Sequence, residues 1–268
     1  MQITWKSEVL TIYGSFPRFI KGNNIHNVSL REAEEGICSL EHKLGVSLRK
    51  AIITRLDLAT NVTLERSIEH YFHCLGCYKN THRSNIDKSS LYYMRKGFSI
   101  LIFYDKIKEA GKKSVENYPI GANYENLMRF ELRLFSKAIK HHFKDALKIS
   151  DLINPETNKF LIELWYKEYV SIEKQSPLIF NLKENDGWRE IRQKLIKEGI
   201  DSFGGLQSTL ERLKREKYFN NKRSESRTRI KEYLRDIDNQ PGMSKDAHLL
   251  NELNLAFSTV YRQFSMMD

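Results

Sequence analysis

A tyrosine, a lysine and two acids stand together at the end of an apolar run in the stretch SILIFYDKIKE, residues 99–109. The run is typical of a buried strand, and Tyr104, Asp105, Lys106 and Glu109 begin where the chain turns polar. A phenol has an ordinary pKa of about 10, so it needs a nearby positive charge or a base to act as a nucleophile at neutral pH. Lys106 could supply that charge to Tyr104.

Two further segments place charged side chains on one face of a predicted strand. In ITRLDLA, Arg55 and Asp57 share a face, and in LMRFELRLF the shared face carries Arg129, Glu131 and Arg133. Apolar residues fill the opposite face in both segments. Arg129 is a second source of positive charge for the phenol. The simpler interpretation is that these residues form cross-strand ion pairs on a solvated sheet face.

If the three strands are neighbours, Asp57, Glu109 and Glu131 converge beside Tyr104. Clustered carboxylates repel one another unless a cation joins them, and an oxygen-only ligand set suits Mg²⁺ or Mn²⁺. A hard dication beside a tyrosine would withdraw charge from a phosphodiester and stabilise the attacking and leaving oxygens. The acids therefore predict a metal site for phosphoryl transfer.

The three motifs occur in an order that resembles a known family. They are R-[LI]-D-x-[AT] at 55–59, Y-x-K-x-x-E at 104–109 and R-F-E-x-R at 129–133. This order is similar to that in the replication initiators of filamentous phages, the gene II type, and more distantly to the Rep-trans class of plasmid initiators. The likeness runs from about residue 10 to about residue 140.

What the resemblance implies is rolling-circle replication. A tyrosine of such an initiator nicks one strand of a supercoiled origin, keeps the 5′-phosphate as a phosphotyrosine and frees a 3′-OH for the polymerase. Tyr104 matches that nucleophile, the three acids match a metal site, and Arg55 and Arg133 are expected to contact the DNA. The implied partners are origin DNA, double- and single-stranded, and the host replication machinery.

The chain departs from these relatives in two respects. The phage proteins carry further strands ahead of the part that resembles residues 10–60, whereas this chain begins almost at once. The common nicking enzymes hold their metal with a His-hydrophobe-His motif, and here His141, His142 and Phe143 have the wrong spacing. Carboxylates are therefore expected to hold any metal.

A rival metal site lies in the stretch HYFHCLGCYKNTH, which contains His70, His73, Cys74, Cys77 and His82. A Cys-x-x-Cys separation with flanking histidines can bind Zn²⁺. On a helix, however, His70, Cys74 and Cys77 share one face with apolar neighbours, and the sequence has no second pair of cysteines. Core packing with solvated histidines is the default interpretation.

The composition favours a partner with dense negative charge. The chain of 268 residues has 44 Lys and Arg against 34 Asp and Glu, a net charge of +10 and a pI near 9.3. Nucleic acid ranks ahead of a membrane surface as that partner.

No apolar run reaches membrane-spanning length, the first residues do not follow the order of a signal peptide, and three cysteines argue against a disulfide framework. These features predict a cytoplasmic protein without a membrane partner.

The pattern of elements predicts an α+β fold. Strand signals occur at 8–20, 51–60, 91–94, 97–106 and 127–135, and helix signals occur at 29–45 and 63–76. From residue 150 the sequence pattern is typical of helices, and the first of them is predicted to begin with a cap at Asn154 followed by Pro155. We expect an antiparallel sheet domain with flanking helices at 1–150, which carries nicking and strand transfer. A helical, basic DNA-binding region would follow at 151–268.

The last third of the chain carries its own nucleic-acid signal. Between Arg212 and Lys231 nine basic residues stand against two acidic ones, and EGIDSFGG separates two predicted helices, as in a helix-turn-helix. The second helix and the region after it would present side chains of types that contact phosphates and base edges, namely Gln207, Ser208, Arg212, Arg215 and Arg229. The plainer interpretation is a solvated, charged helix in an ordinary bundle.

Two functional hypotheses follow. The first is a metal-dependent tyrosine endonuclease and strand transferase that initiates rolling-circle replication. The second is a non-catalytic DNA-binding regulator of a mobile element, with an α+β dimerisation domain and a basic helical region. A regulator has no need of three acids beside a tyrosine. Covalent attachment of the protein to a single-stranded oligonucleotide in the presence of Mn²⁺ separates the two hypotheses.

Overall fold

A central sheet of five antiparallel strands organises the protein, in the order β3-β8-β7-β6-β5. A computed structural model describes residues 1–79, 81–86, 89–111, 125–176, 187–219, 224–238 and 247–266. Two small sheets, β1-β2 and β4-β9, accompany the central one. The strands are β1 Gln2–Lys6, β2 Val9–Tyr13, β3 Arg55–Thr63, β4 Leu75–Tyr78, β5 His82–Ile86, β6 Ser90–Arg95, β7 Ser99–Asp105, β8 Leu127–Phe135 and β9 Ile172–Lys174.

Helices flank the sheet and make up most of the chain after β8. They are α1 Phe16–Lys21, α2 Leu30–Leu44, α3 Ile68–Phe72, α4 Lys106–Ala110, α5 Ser136–His142, α6 Ile149–Leu152, α7 Pro155–Val170, α8 Trp188–Ser202, α9 Gly205–Arg215, α10 Ser224–Asp238 and α11 Ala247–Ser265. The predicted α+β class, with an antiparallel sheet and a helical C-terminal region, is confirmed.

The apolar face of the sheet forms the core. Met128, Phe130, Leu132 and Leu134 alternate along β8 with charged residues, and all four are buried. Phe130 stacks on Phe103 of β7, with ring centroids 4.5 Å apart. Because side chains alternate across a strand, the same spacing that builds this core sends every second residue of β8 to the opposite face.

Helices α7 and α11 cover the apolar face. Phe257 of α11 lies with its ring centroid 6.2 Å from that of Phe103 and 5.8 Å from that of Phe130. Trp165 and Tyr169 of α7 join the same cluster. Residues from both sides of position 150 therefore share one core. The predicted boundary at 150 separates strand-rich from helical sequence along the chain, and it does not separate two cores.

Residues 16–21, predicted as part of a β-rich run, form helix α1 instead. The Ser15 hydroxyl accepts a hydrogen bond from the backbone N–H of Arg18, Pro17 stands in the first turn, and Gly22 ends the helix with φ 76°. A capping side chain, an early proline and a left-handed glycine together specify a helix, and they outweigh the β propensity of the aromatic and branched residues.

The helix predicted at 63–76 is also mostly wrong. β3 continues through Thr63, only Ile68–Phe72 is helical, and Leu75–Tyr78 forms β4. β4 pairs with β9, where Tyr78 lies opposite Ile172. A partner strand this far along the chain is invisible to a local pattern, and its pairing overrides the helical spacing.

The start of helix α7 agrees with the sequence prediction. The Asn154 side chain caps α7 by accepting from the N–H groups of Glu156 and Thr157. Helix α8 continues through Ser202, so the separation predicted over EGIDSFGG is confined to a turn at Gly204, whose φ is 90°, before α9 begins. Among the helices within the described ranges, none is both long and apolar enough to cross a bilayer.

Candidate active site

Strands β3, β8 and β7 are neighbours, as the site predicted from the sequence requires, and their register gathers the charged residues on one face. Asp57 of β3 lies opposite Arg133 of β8, and Asn61 lies opposite Arg129. On the other side of β8, Tyr104 of β7 also lies opposite Arg129. Arg129 therefore has Asn61 on one side and the phenol on the other.

Arg133 lies between two of the predicted metal ligands. Its Nη2 is 2.6 Å from Oε1 of Glu131, and its Nε is 3.3 Å from Oδ2 of Asp57. Arg55 closes the other side of Asp57 with an Nη2–Oδ2 distance of 2.5 Å. These ion pairs agree in part with the simpler interpretation of the sequence: Asp57–Arg133 crosses between strands, whereas Arg55–Asp57 and Arg133–Glu131 each join residues of one strand. A guanidinium holds the two carboxylates together where a metal ion was expected.

Arg129 is the most enclosed of the arginines on this face, with 9 % of its surface exposed. Its Nη1 donates to the backbone oxygen of Asn24 at 2.8 Å. Its Nε–H has no hydrogen-bond partner and lies 3.7 Å from Oε2 of Glu131, too far for a hydrogen bond. A buried donor left without an acceptor is costly, so this N–H is suited to an acceptor from a ligand.

Tyr104 is half-buried, and its electrostatic surroundings come from the predicted residues. Burial raises the pKa of the phenol, the positive charges of Arg129 and Arg133 lower it, and the negative charges of Glu131 and Glu109 raise it further. The net effect is a pKa above the ordinary value. The phenol is therefore protonated at neutral pH unless additional positive charge approaches.

Lys106 does not continue the strand, because β7 ends at Asp105 and Lys106 is the first residue of α4. The Asp105 carboxylate caps that helix by accepting from the N–H groups of Ile107 and Lys108 at 3.0 and 2.9 Å. The Lys106 amine still reaches Tyr104, with Nζ 5.9 Å from the ring centroid. The acid after the tyrosine is thus explained by helix capping.

Lys106 is buried and forms an ion pair with the half-exposed carboxylate of Glu109. Burial lowers the pKa of this lysine, and the Glu109 carboxylate opposes that effect. The negative charge of Glu109 still acts on the Tyr104 phenol, but the Lys106 amine is its ion-pair partner. Two of the three predicted metal ligands are therefore bridged by Arg133, and the third is paired with Lys106.

The expected convergence of Asp57, Glu109 and Glu131 into one ligand cluster is not found. Within the described part of the chain, the one group of three acidic, histidine or cysteine side chains whose ligand atoms lie within 4.8 Å of one another is Glu65, His248 and Glu252. That group is largely exposed, and Glu252 is already engaged with the Glu65 N–H and the Tyr71 hydroxyl. Of the three acids, Glu131 and Glu109 act on the pKa of Tyr104 through their charges.

The rival zinc motif does not assemble either. Cys74 is buried in the core, and the Cys77 sulfur lies 2.8 Å from the Ser208 hydroxyl. Neither cysteine, nor His70, belongs to a three-ligand group among the residues that the structure describes. Core packing, the default interpretation, accounts for the cysteines of this stretch.

The predicted recognition helix lies beside the far edge of the sheet. Arg212 and Arg215 of α9 lower the pKa of His82 on the edge strand β5, where burial is the larger cause. Arg212 also pairs with Glu216 and lies over the ring of Phe203, 4.4 Å from its centroid. The helix therefore presents exposed positive charge near β5.

Four of the five side chains predicted to read DNA in this region are exposed, and one is not. Gln207, Arg212, Arg215 and Arg229 are on the surface. Ser208 is buried against Cys77, so in this arrangement its hydroxyl is not available to DNA. Residues 220–223 of the basic segment lie outside the described residues.

Sequence reasoning missed Asn61, whose amide lies between Arg129 and the segment after α1. Its Nδ2 donates to the Ile25 oxygen at 2.6 Å, and its Oδ1 is 3.4 Å from Nη1 of Arg129. The alternation of β3 could have placed Asn61 on the charged face, since it follows Asp57 by four residues. No local signal predicts the contact of Tyr13, whose hydroxyl accepts from Arg55 at 2.7 Å.

Residues 2–155, which include the strands of the charged face, match a family model of replication-associated proteins. The family model describes the N-terminal part of the gene II replication-associated protein of phages and covers more than half of the chain. The chain belongs to this family, the gene II type of phage replication initiators. Comparisons with curated proteins and with solved structures give no match. Membership supports a role in initiating replication, implies binding to origin DNA and suggests a nicking enzyme in general.

Proposed function

We propose that this protein initiates rolling-circle replication as a metal-dependent tyrosine endonuclease and strand transferase, with Tyr104 as the nucleophile. The observation that carries the proposal is the pair formed by Tyr104 and Arg129 on neighbouring strands. The phenol lies opposite a buried guanidinium whose Nε–H has no acceptor. A phosphodiester brought to Tyr104 would supply that acceptor through a non-bridging oxygen.

The proposed reaction exchanges one phosphate ester for another. The Tyr104 oxygen forms a bond to phosphorus, and its proton passes to solvent. The bond between phosphorus and the 3′ oxygen breaks, and that oxygen takes a proton from solvent to become a 3′-OH. The 5′-phosphate remains on Tyr104. Attack by a 3′-OH on this phosphotyrosine reverses the steps, which is strand transfer.

Positive charge makes this reaction feasible at neutral pH. Burial raises the pKa of Tyr104, and Arg129 already opposes that effect. Lys106 supplies a further cation beside the ring. The Arg129 Nε–H would donate to the phosphate as negative charge develops on its oxygens. A donor placed for the transition state in this way contributes on the order of a hundredfold in rate.

The donor chemistry fits Mg²⁺ or Mn²⁺, since Asp57, Glu109 and Glu131 offer only carboxylate oxygens. We propose these three residues as the holders of the ion, which would have to draw together carboxylates whose oxygens do not all lie within 4.8 Å of one another in the structure. Arg133 now bridges two of them, so a metal would compete with a guanidinium for the same oxygens. When bound, the ion would withdraw charge from the phosphodiester.

The DNA contacts are proposed to divide between two surfaces. Arg55 and Arg133 lie on the charged face beside the site, where they would hold the strand being cut. The exposed surface of α9 and α10, which carries Gln207, Arg212, Arg215 and Arg229, would bind the origin duplex. The host replication machinery would then use the freed 3′-OH.

Tyr104→Phe tests the nucleophile, because it removes only the hydroxyl. Wild-type protein incubated with a labelled single-stranded oligonucleotide and Mn²⁺ should give a protein–DNA adduct that survives denaturation. Tyr104→Phe should give none while binding the oligonucleotide with unchanged affinity. Tyr92→Phe is the matched control, since Tyr92 lies on the same face of the adjacent strand β6 and should leave the adduct intact.

Two outcomes would contradict the proposal. An adduct that persists in Tyr104→Phe would move the nucleophile elsewhere, with Tyr92 next to be examined. Absence of any adduct with the wild-type protein, together with tight and specific duplex binding, would favour the non-catalytic regulator. The ion pairs that join Asp57, Arg133 and Glu131 would then be structural.

A further inference from the structure

The segment between α1 and α2 passes over one end of the charged face, beside the proposed site. The backbone oxygen of Asn24 accepts from Nη1 of Arg129 at 2.8 Å. The backbone oxygen of Ile25 accepts from Nδ2 of Asn61 at 2.6 Å. Ile25 is itself buried, so this segment is anchored by its side chain as well as by its backbone. We call residues 23–27 the strap.

Asn61 contacts both partners of this arrangement. Its amide nitrogen donates to the strap, and its amide oxygen lies 3.4 Å from Nη1 of Arg129. Asn61 and Arg129 are direct cross-strand partners, opposite each other in the β3–β8 register. Asn61 therefore joins the strap to the guanidinium and limits the directions in which Arg129 can point.

Holding Arg129 in this way has a chemical consequence. The strap oxygen and the Asn61 oxygen both engage Nη1, whereas the buried Nε–H has no hydrogen-bond partner. Arg129 lies opposite Tyr104 on its other side. A planar guanidinium fixed at one nitrogen has the direction of its remaining donors set, and a donor fixed before the substrate arrives needs no reorganisation during reaction.

We propose that Asn61 is a positioning residue for the reaction at Tyr104, acting through Arg129 with the strap as its support. The inference rests on the proposed function, because it assumes that Tyr104 and Arg129 act on a phosphodiester. Asn61 itself does not touch the substrate. Its contribution is to hold the Arg129 Nε–H toward the place where a non-bridging phosphate oxygen would lie.

Asn61→Leu tests the role by removing both amide contacts at similar side-chain size. Misplacement of a catalytic group by a small distance can slow a reaction about a hundredfold, so the rate of adduct formation at saturating oligonucleotide should fall about ten- to a hundredfold. Oligonucleotide affinity should change less than about threefold, because the positive charge of Arg129 remains. Thr60→Val is the matched control, since Thr60 contacts Asn27 of the strap without reaching Arg129, and it should change the rate less than about twofold.

A double-mutant cycle separates positioning from a general loss of structure. Arg129→Gln should slow adduct formation strongly, and adding Asn61→Leu to that variant should slow it no further, because the group that Asn61 positions is gone. Independent, additive losses would overturn the inference, as would an Asn61→Leu rate equal to wild type. Failure of the proposed function has a different signature, namely no adduct with wild type or an adduct that persists in Tyr104→Phe.

Discussion

At the scale of single residues, Arg133 already pairs with two of the carboxylates that are proposed to hold a metal. Its guanidinium contacts both Asp57 and Glu131, and the latter carboxylate is mostly buried. A divalent ion at these oxygens would have to displace a cation already in place. The metal proposal therefore makes a prediction about an arginine as well as about the acids.

Arg133→Gln should bind Mn²⁺ more tightly than the wild-type protein, by about tenfold, because the competing charge is removed. Glu131→Gln should bind Mn²⁺ more weakly than the wild-type protein, because it removes one of the proposed carboxylate ligands. Electron paramagnetic resonance of free Mn²⁺ during a titration measures both affinities. Glu65→Gln serves as the control for the exposed Glu65–His248–Glu252 group. If Glu65→Gln removes the binding and Glu131→Gln does not, the metal lies at that group and not beside Tyr104.

Lys174 gives a prediction about pH. Burial lowers its pKa from 10.5 to about 7, although its Nζ donates to the backbone oxygens of Tyr169 and Ile172. At a pH between these two pKa values, the Lys174 amine is protonated in the unfolded chain and has lost its proton in the folded protein. Stability therefore rises with pH across this interval, since the unfolded state binds more protons.

Lys174→Met keeps most of the length of the side chain over the Tyr169 ring and removes the titrating group. The free energy of unfolding of the wild-type protein, minus that of Lys174→Met, should increase between pH 7 and about pH 9.5. Urea unfolding at the two pH values gives the difference. A difference that stays constant or falls with pH would show that the amine is charged in the folded protein.

At the scale of elements, helix α9 combines an anchored inner side with a charged outer one. Arg83 of β5 donates to the backbone oxygen of Ser202, which ends α8, and also to those of Leu75 and Phe72. Ser208 faces Cys77 of β4. The helix pair is therefore held against the sheet, and its arginines are presented outward from a rigid support. Rigid support favours a binding surface over a loosely solvated helix.

Charge reversal on this surface should weaken duplex binding. We expect the triple change to Glu at Arg212, Arg215 and Arg229 to lower origin affinity and to reduce the salt slope, by about 0.9 for each phosphate that is no longer neutralised. The matched control reverses three exposed residues near α2, namely Arg31, Lys43 and Lys50, with the same change in net charge. Filter binding over a range of salt concentrations measures both. Equal decreases in the two variants would show that only net charge matters, and an unchanged slope would make α9 and α10 structural.

At the scale of the whole molecule, the last helix completes the core of the sheet. Leu249, Leu253 and Phe257 of α11 are buried among residues of β7, β8 and α7. A fragment ending near residue 185 would lack these side chains and expose the part of the apolar face that α11 covers, although α7 would remain. We therefore expect such a fragment to aggregate, and charge reversal is the better way to separate recognition from cleavage.

Phe257→Ala should destabilise the whole protein by about 3–5 kcal/mol, the usual cost of emptying a buried aromatic site. Because strands and later helices share one core, circular dichroism of the helices and fluorescence of buried Trp165 should report one common transition that moves to lower denaturant. Leu255→Ala, an exposed position on the same helix, is the control and should have little effect. Two separate transitions, with only the helical signal moved, would mean that the helices fold apart from the sheet.

The sequence by itself determined the features that depend on neighbours along the chain. Alternation in β8 predicted which side of the strand is charged, because successive side chains of a strand point to opposite faces. The helix signal at 29–45 and the cap at Asn154 predicted where α2 and α7 begin, because the contacts that start a helix, such as the capping box formed by Ser29 and Glu32, span only a few residues. The motif order also led to the gene II-type family, which the match over residues 2–155 confirms.

Tertiary structure alone decided how those residues meet. The Arg129 contact with Asn24 joins positions 105 residues apart, and the Ser208 contact with Cys77 joins positions 131 apart. The placement of Arg133 between Asp57 and Glu131 depends on the register of β3 against β8. A pattern read along one strand shows which face a side chain takes, but the charge opposite it is set by a partner strand that the pattern does not contain.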